Sequence, residues 1–284
     1  MKTLQEYIVD AQERKVAIGH FNISNTEGFW AVVLAAKELK VPVIIGVSEG
    51  ERDFIGVNEV VAMVKAYREN TGQPVFINAD HTYSFERVKE VVDAGYDAVI
   101  YDGTELSFDD NISTAQKCIE YAKGQNPNII VESEIGFIGK SSKLLNAVPE
   151  GVGRMTTVEE AKIFVEKTKV DMLAPAVGNV HGIVKGGEPA LNISRIKEIY
   201  EAVKIPLVLH GASGNSNDDI NKAISAGISI IHINTELRVA YRAGLIKSLQ
   251  ENPDEVAPYK YLKGARNAMQ KVVEEKLRLF NKIL

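Results

Sequence analysis

The chain contains 284 residues, of which 45% are hydrophobic and 25% are charged. These proportions are typical of a globular protein with a large buried core, and they exclude disordered, collagen-like and membrane-spanning classes. The net charge of -5 excludes a general attraction to nucleic acid or anionic lipid, so an anionic ligand would need a local pocket. Because the sole cysteine, Cys118, allows no disulfide framework and the charged opening segment lacks a signal-peptide core, we expect a cytoplasmic protein.

Short apolar runs rich in β-branched residues alternate with longer amphipathic segments. The predicted strands are 16–21, 43–47, 75–80, 98–102, 129–134, 172–177, 207–210 and 229–234. Most of them are continuously apolar, which is expected of a parallel sheet covered on both faces. Eight β/α units with no linker between them predict a closed (β/α)8 TIM barrel that forms one domain, 1–284. An extra helix, 4–13, should cap the bottom of the barrel, and a helical tail, 259–280, should follow the eighth unit.

Three of the five histidines fall at or just beyond predicted strand ends: His81, His181 and His210. Because β/α barrels collect catalytic groups at this end of their strands, we expect the three imidazoles to converge. Any one of them alone would more often be a packed or surface side chain than a metal ligand. Three neutral imidazoles suit Zn²⁺ and leave a coordination position open for substrate. Glu134, at the end of the fifth strand, is the expected fourth or alternate ligand.

Two aspartates end neighbouring strands. Asp80 directly precedes His81, and at a strand-to-loop corner both side chains can face the opening, one as a ligand and the other as a general acid or base. The alternative for Asp80 is a cap on the following helix. Asp102 could orient Asp80 or a ligand histidine from behind, or it could serve as an N-cap. The other histidines, His20 and His232, lie inside predicted strands and are expected to be structural.

Loops that contain glycine or small polar residues follow the last three strands. Barrel enzymes frequently bind phosphate at the last two of these loops through backbone amides and hydroxyls at a helix start. The residues that supply such groups here are Gly182, Gly211, Ser213, Asn234 and Thr235, and Lys185 adds a positive charge beside them. The sequence therefore predicts a local anion pocket in a chain of negative net charge.

Sequence blocks that span nearly the whole chain resemble one family. In order they read FNISN, VSEG, ADHTYSFE, YDGTELSFDDN, VESEIG, APAVGNVHGIVKGGEP, VLHGASG and INTELR. Together they resemble the class II, metal-dependent ketose-bisphosphate aldolases. The resemblance implies a zinc-dependent aldehyde-lyase that reversibly cleaves a ketose 1,6-bisphosphate to dihydroxyacetone phosphate and an aldehyde such as glyceraldehyde 3-phosphate. Fructose 1,6-bisphosphate is the first candidate substrate, and tagatose 1,6-bisphosphate is the second.

The resemblance also implies roles for individual residues. Zinc would be bound by His81, His181 and His210, with Glu134 at a second or alternate metal site and Asp102 behind the ligands. Asp80 would handle the proton on the aldehyde oxygen. The substrate would be held by Asn22, Ser48, Gly182, Lys185, Gly211, Ser213, Asn234 and Thr235, with Asn234 at the enediolate end and Ser48 near the second phosphate. A monovalent cation, Na⁺ or K⁺, often lies by the glycine loops of this family, and its members are commonly dimers or tetramers.

The chain departs from the family pattern at several positions. Many relatives carry a glutamate after the fifth strand that exchanges the C3 proton, whereas the corresponding stretch here, 139–143, has no carboxylate. Glu150 could take over this role. Asn78, Glu105 and Ile230 also replace residues that are common in the family. These departures leave two alternatives open: an enzyme that acts on another ketose phosphate or through another enediolate reaction, and a sugar-phosphate binder without turnover.

Overall fold

The computed structural model describes residues 2–139 and 142–283. Lys140 and Ser141, which belong to the loop without the family's glutamate, lie outside the described residues, as does the last residue of the tail. The strands are β1 Ile18–Asn22, β2 Val43–Val47, β3 Val75–Thr82, β4 Ala98–Tyr101, β5 Ile130–Ile135, β6 Leu144–Leu145, β7 Met172–Pro175, β8 Ile183–Val184, β9 Leu207–Leu209 and β10 Ile228–Ile233.

Eight of these strands form a closed parallel barrel. Around the barrel their order is β1, β10, β9, β7, β5, β4, β3 and β2, so each strand lies beside its neighbour in the chain and the last pairs with the first. The strands β6 and β8 pair with each other in the loops after β5 and β7. The predicted (β/α)8 TIM barrel is confirmed, and the pairing of β6 with β8 is an addition that the sequence did not predict.

The helices of the described residues surround the barrel or close its ends. They are α1 Leu4–Arg14, α2 Thr26–Leu39, α3 Glu49–Ile55, α4 Val57–Thr71, α5 Phe85–Ala94, α6 Phe108–Gln125, α7 Val158–Thr168, α8 Ile193–Val203, α9 Asn217–Ala226, α10 Thr235–Glu251 and α11 Pro258–Asn281. Polar side chains determine where several of them begin, because they satisfy free backbone amides of the first turn. Thr3 and Glu6 form such a capping box at α1, and Thr157 and Glu160 form one at α7.

The lower half of the barrel interior is filled by apolar side chains and closed by α1. Each barrel strand contributes at least one of these side chains: Ile18, Ile44, Phe76, Ala98, Ile130, Met172, Ala174, Val208 and Ile230. They form one cluster with Leu4, Ile8 and Ala11 of α1. The predicted cap on the bottom of the barrel is therefore confirmed.

The outward-facing strand residues pack against the ring of helices in a second, larger core. The helix α11 lies between α10 and α2 and covers β1, and the carbonyl of Phe280 accepts a hydrogen bond from the Ala17 amide at 3.0 Å. The predicted helical tail thus completes the ring. Within residues 2–139 and 142–283, none of the helices combines the length and apolarity needed to cross a membrane.

Candidate active site

The carboxyl ends of the barrel strands open into a cavity of about 270 Å³. This is the end of the barrel at which β/α enzymes carry their active sites. The predicted site residues that line it are Asn22, Ser48, Asp80, His81, Asp102, His181, Gly182, Gly211, Ser213, Asn234 and Thr235. His210 and Glu134 are buried in the barrel and form one group with His81 and His181 of the lining. The lining also contains Tyr83, His232 and Arg238, for which the sequence predicted no functional role.

The three histidines from the strand ends do converge. The ring centroid of His81 lies 4.8 Å from that of His181 and 5.0 Å from that of His210. With Glu134 they supply four ligand atoms that all lie within 4.8 Å of one another. Strands on two sides of the barrel contribute to this group, since His81 belongs to β3 and His210 directly follows β9.

Two of these histidines are each held through Nδ1. His81 Nδ1 donates to Asp102 Oδ2 at 2.8 Å, and His181 Nδ1 donates to the carbonyl oxygen of Gly139 at 2.6 Å. Such a bond fixes the tautomer and leaves Nε2 as the metal-binding atom, which is the usual arrangement for ligating histidines. Asp102 thus lies behind a candidate ligand. Its alternative role as an N-cap is wrong, because Ser107 caps α6.

His210 is fully buried and is held through both ring nitrogens. Nδ1 lies 2.7 Å from Glu134 Oε2, and Nε2 lies 2.7 Å from Glu132 Oε1. Alternate residues of a strand face the same side, so both glutamates of β5 point into the barrel. Glu132 was not predicted from the sequence, although the two-residue spacing in VESE was a signal for it. With Glu132 on Nε2, Nδ1 is the nitrogen that faces the candidate metal group.

The carboxylates around these histidines shift their pKa values. Burial lowers the pKa of His81, but the charge of Asp80 and the bond to Asp102 outweigh it and raise that pKa to about 9. Burial of His210 is likewise outweighed by the two glutamates of β5, which raise its pKa well above the usual value. Burial and the neighbouring imidazoles lower the pKa of His181 to about 3. Imidazole donors amid this much negative charge fit a divalent cation, which would take the place of the protons.

Asp80 and His81 are adjacent, yet both line the cavity. His81 has a φ of 40°, and the pairing of β3 with β4 shifts register between Ala79 and Thr82. This kink breaks the normal alternation of side chains and turns both residues towards the opening. The alternative role of Asp80 as a helix cap is wrong, because Ser84 caps α5.

The carboxylate of Asp80 is held on one oxygen only. Oδ2 accepts a hydrogen bond from Asn22 Nδ2 at 2.8 Å. Oδ1 is buried and has no hydrogen-bond partner among the described residues, and it lies 3.5 Å from His232 Nδ1. Burial opposes the charged form, but the charge of His81 and the contact with His232 outweigh it and hold the pKa of Asp80 well below its usual value. Of the two oxygens, Oδ1 is the one that no hydrogen bond from the described residues occupies.

His20 and His232 form a stacked pair inside the barrel. Their ring centroids lie 3.5 Å apart, and they are partners in the pairing of β1 with β10. Gly46 leaves the space for this pair, because a Cβ there would lie 2.1 Å from the His20 ring. The burial of His20 fits the expected structural role. His232 differs, because it lines the cavity and its ring centroid lies 4.2 Å from that of His210. Buried ring nitrogens without a hydrogen-bond partner among the described residues occur in both side chains, at Nδ1 and Nε2 of His20 and at Nε2 of His232.

The predicted anion pocket forms one wall of the cavity. Gly182 and Gly211 have φ values of 119° and 58°, and a Cβ on Gly211 would lie 2.4 Å from the carbonyl oxygen of Val180. Only glycine fits such a position. At the same wall α10 begins at Thr235 after its N-cap residue Asn234. The free amides and the positive dipole end of a helix start favour an anion there.

Two predicted site residues lie away from this cavity. Lys185 directly follows β8, and the pairing of β8 with β6 leaves it exposed, with Nζ donating to Asn146 Oδ1 at 3.0 Å. Glu150 is exposed in a turn after β6 and is not among the described residues that line the cavity. Both would need another loop conformation to reach a substrate. Their roles in phosphate binding and in C3 proton exchange stay predictions.

On the wall opposite the glycine loops, a buried carboxylate holds Ser48. Glu51 Oε2 accepts hydrogen bonds from the backbone amide of Ser48 at 2.8 Å, from its hydroxyl at 2.9 Å and from Asn22 Nδ2 at 2.9 Å. Glu51 Oε1 accepts one from Arg238 Nη2 at 2.7 Å. Glu51 was not predicted from the sequence. The signal was the S-x-x-E spacing of a capping box at the start of α3.

Comparison with known proteins gives one consistent answer. The family described as fructose-bisphosphate aldolase class-II matches residues 2–283. A fructose-bisphosphate aldolase from Staphylococcus epidermidis is 38% identical over 281 residues, which cover 98% of this chain and 96% of the relative. A probable fructose-bisphosphate aldolase from Bacillus subtilis is 39% identical over the same length.

Solved structures agree with these sequence matches. The YdjI aldolase from Escherichia coli K12 superposes with a TM-score of 0.82 at 31% identity, covering 99% of this chain and 97% of that one. The fructose-bisphosphate aldolase of Campylobacter jejuni superposes with a TM-score of 0.83 at 22% identity, covering 98% of this chain and 94% of that one. The second likeness supports the fold alone.

Proposed function

The chain belongs to the family of class-II fructose-bisphosphate aldolases, metal-dependent lyases that act on sugar phosphates, and from this premise we propose the reaction and its residues. The proposed reaction is the reversible cleavage of a ketose 1,6-bisphosphate, or of a related ketose 1-phosphate, to dihydroxyacetone phosphate and an aldehyde, with Zn²⁺ as the metal. From the resemblance, fructose 1,6-bisphosphate is the first substrate to assay and tagatose 1,6-bisphosphate the second. The proposed enzyme is one cytoplasmic (β/α)8 domain that assembles as a homodimer or homotetramer.

The group formed by His81, His181, His210 and Glu134 carries this proposal. Its four ligand atoms lie within 4.8 Å of one another, and the histidines are fixed through their other nitrogens. Three imidazoles with one nearby carboxylate match the ligand sets of catalytic zinc sites, which keep a position open for substrate. Glu134 would serve as the alternate ligand, and Asp102 would orient His81. A bound zinc ion would supply a Lewis acid for the negative charge that develops when the C3–C4 bond breaks.

The proton chemistry is assigned to Asp80. Asp80 lines the same cavity, and Asn22 fixes its Oδ2 and leaves Oδ1 without a hydrogen-bond partner among the described residues. In cleavage, Oδ1 would remove the proton from the C4 hydroxyl, and in condensation it would return that proton to the aldehyde oxygen.

The phosphate of the dihydroxyacetone half is assigned to the wall of glycine loops. Gly182, Gly211 and Ser213 line it, and the first turn of α10 begins there at Thr235. Backbone amides at a helix start bind phosphate without a cationic side chain. The proposed monovalent cation would lie by the same loops, and Asn234 would contact the carbon end of this half.

A proton-exchange assay tests the function independently of the aldehyde. The zinc-loaded protein should exchange one C3 proton of dihydroxyacetone phosphate with D₂O, followed by NMR, and should condense this compound with an aldehyde. EDTA should abolish both reactions, and zinc should restore them. Asp80→Ala should keep its zinc but cleave or condense about 10²–10⁴-fold more slowly, whereas His181→Ala should lose the metal. Binding of dihydroxyacetone phosphate without exchange or condensation would show a binder and contradict the proposal.

A further inference from the structure

The two walls of the cavity can be assigned to the two halves of the substrate. In the barrel, β7, β9 and β10 are neighbours, whereas β2, β3 and β4 form the opposite side. The glycine loops proposed to hold the C1 phosphate follow β7, β9 and β10. A substrate that reaches across the candidate metal group must therefore place its aldehyde half against the loops after β2, β3 and β4, where Ser48 and Tyr83 line the cavity.

Glu51, in the first turn of α3 after β2, engages four hydrogen-bond donors at this side of the cavity: two belong to Ser48, one to Asn22 at the end of β1 and one to Arg238 of α10. Glu51 Oε2 accepts from the amide and hydroxyl of Ser48 and from Asn22 Nδ2, and Oε1 accepts from Arg238 Nη2, at 2.7–2.9 Å. A second phosphate placed beside Ser48 would have to compete with Glu51 for these donors. Glu51 is 6% exposed and is fixed in the first turn of α3 by its capping box with Ser48. The aldehyde-side wall thus contains a buried carboxylate, that of Glu51, which already binds the donors of Ser48.

The charges of the aldehyde-side wall also oppose a phosphate. Arg238 is the only lysine or arginine among the described residues that line the cavity, and its guanidinium already pairs with Glu51. The lining adds two carboxylates, Glu105 and Glu49, and Glu49 Oε1 lies 4.0 Å from the guanidinium groups of both Arg52 and Arg87. A phosphate dianion placed here would meet like charges at short range, and like charges repel more strongly in a partly buried cavity than in water. Hydroxyl groups, in contrast, can donate to these carboxylates.

We propose that Glu51 excludes a second phosphate, and that the substrate is a ketose 1-phosphate whose aldehyde half carries hydroxyl groups in place of phosphate. The proposal rests on the proposed function and narrows its substrate class. It replaces the bisphosphates implied by the sequence resemblance with sugars phosphorylated at C1 alone. The aldehyde released would be an unphosphorylated hydroxyaldehyde.

The test is condensation of dihydroxyacetone phosphate by the zinc-loaded enzyme with two aldehydes, glyceraldehyde and glyceraldehyde 3-phosphate. We expect kcat/KM for glyceraldehyde to exceed that for the phosphorylated aldehyde by about tenfold or more. Glu51→Gln removes the charge at nearly constant size and should reduce this preference about tenfold or more. Glu69→Gln, the same charge change at an exposed position of α4, should leave the preference unchanged.

Each outcome of this test separates the inference from the function on which it rests. A wild-type preference for glyceraldehyde 3-phosphate, or an unchanged preference in Glu51→Gln, overturns the role of Glu51 while leaving an aldolase. Absence of C3 proton exchange and of condensation with either aldehyde overturns the proposed function and the inference with it. The wild-type comparison needs no variant, so it decides the substrate class even if Glu51→Gln does not fold.

Discussion

The orientation of His210 depends on Glu132, a side chain buried beneath the cavity. Its Oε1 lies 2.7 Å from His210 Nε2, and this contact assigns Nδ1 to the candidate metal group. Partners of this kind commonly contribute one to two orders of magnitude to metal affinity. Glu132 is a positioning residue, because it acts on the metal through the imidazole.

We predict that Glu132→Ala weakens zinc binding about 10–100-fold, because His210 loses the acceptor that fixes its ring. Competition for zinc with a chelating dye measures this directly on the metal-stripped protein. Glu132→Gln is the matched control, since its amide oxygen can still accept from Nε2 and should restore most of the affinity. Wild-type affinity in Glu132→Ala would show that packing alone orients His210.

The residues that sequence could place in the site are those fixed by strand ends. His81 and His210 were found because a parallel barrel brings all carboxyl strand ends to one face. Glu132 and His232 were missed because an inward position in a strand looks the same in sequence whether it lies in the apolar layer or directly under the cavity. Lys185 was expected at the phosphate because neighbouring residues in the sequence line the cavity. It lies away from the cavity because β8 pairs with β6, and such a long-range contact leaves no local signal in the sequence.

At the scale of elements, α10 and α11 pack with their backbones in unusually close approach. A Cβ on Gly244 of α10 would lie 2.6 Å from the carbonyl oxygen of Gly264 in α11. A backbone atom inside a helix cannot move aside as a flexible side chain can. The glycines therefore set the distance between the two helices, and α11 in turn covers β1.

Gly244→Ala should lower the free energy of unfolding by about 1–3 kcal/mol, because the added methyl group overpacks this contact. Gly124→Ala in α6 is the matched control, since a Cβ there meets nothing within 4 Å. In that position the better helix propensity of alanine should raise stability by up to about 1 kcal/mol. Thermal unfolding of both variants shows whether the two substitutions change the free energy of unfolding in opposite directions. Stabilisation by Gly244→Ala would contradict the close approach.

The positions of the strands and helices could be predicted where short stretches of sequence determine them. Continuous apolar runs located the barrel strands, because a buried parallel strand needs apolar side chains on both faces. The predicted ends of the strands and helices were less accurate. β3 continues past Asp80 to Thr82, because the kink at His81 lets pairing resume one residue later. Positive-φ lysines such as Lys15 and Lys40 end helices where glycine is the usual signal, so those ends had no marker in the sequence.

At the scale of the whole molecule, stability and chemistry lie at opposite ends of the barrel. The cluster under α1 joins apolar side chains from all eight barrel strands, so the helix is connected to the whole closed sheet through one apolar layer. The candidate metal group and the cavity lie at the other end. β/α barrels generally separate these functions in the same way.

Ile8→Ala should therefore destabilise the whole barrel without changing its catalysis. Ile8 is fully buried in the α1 cluster, and such a truncation costs about 2–5 kcal/mol through lost burial and a cavity. In a chain of this length the melting temperature should fall by roughly 4 °C or more. Val9→Ala, the adjacent truncation at a side chain that is 41% exposed, should change stability by less than about 0.5 kcal/mol.

The kcat for C3 proton exchange should be equal in both variants and the wild type below the unfolding transition. A fall in kcat for Ile8→Ala alone would mean that the apolar layer transmits strain to the metal-binding histidines, and the two ends of the barrel would then not be independent.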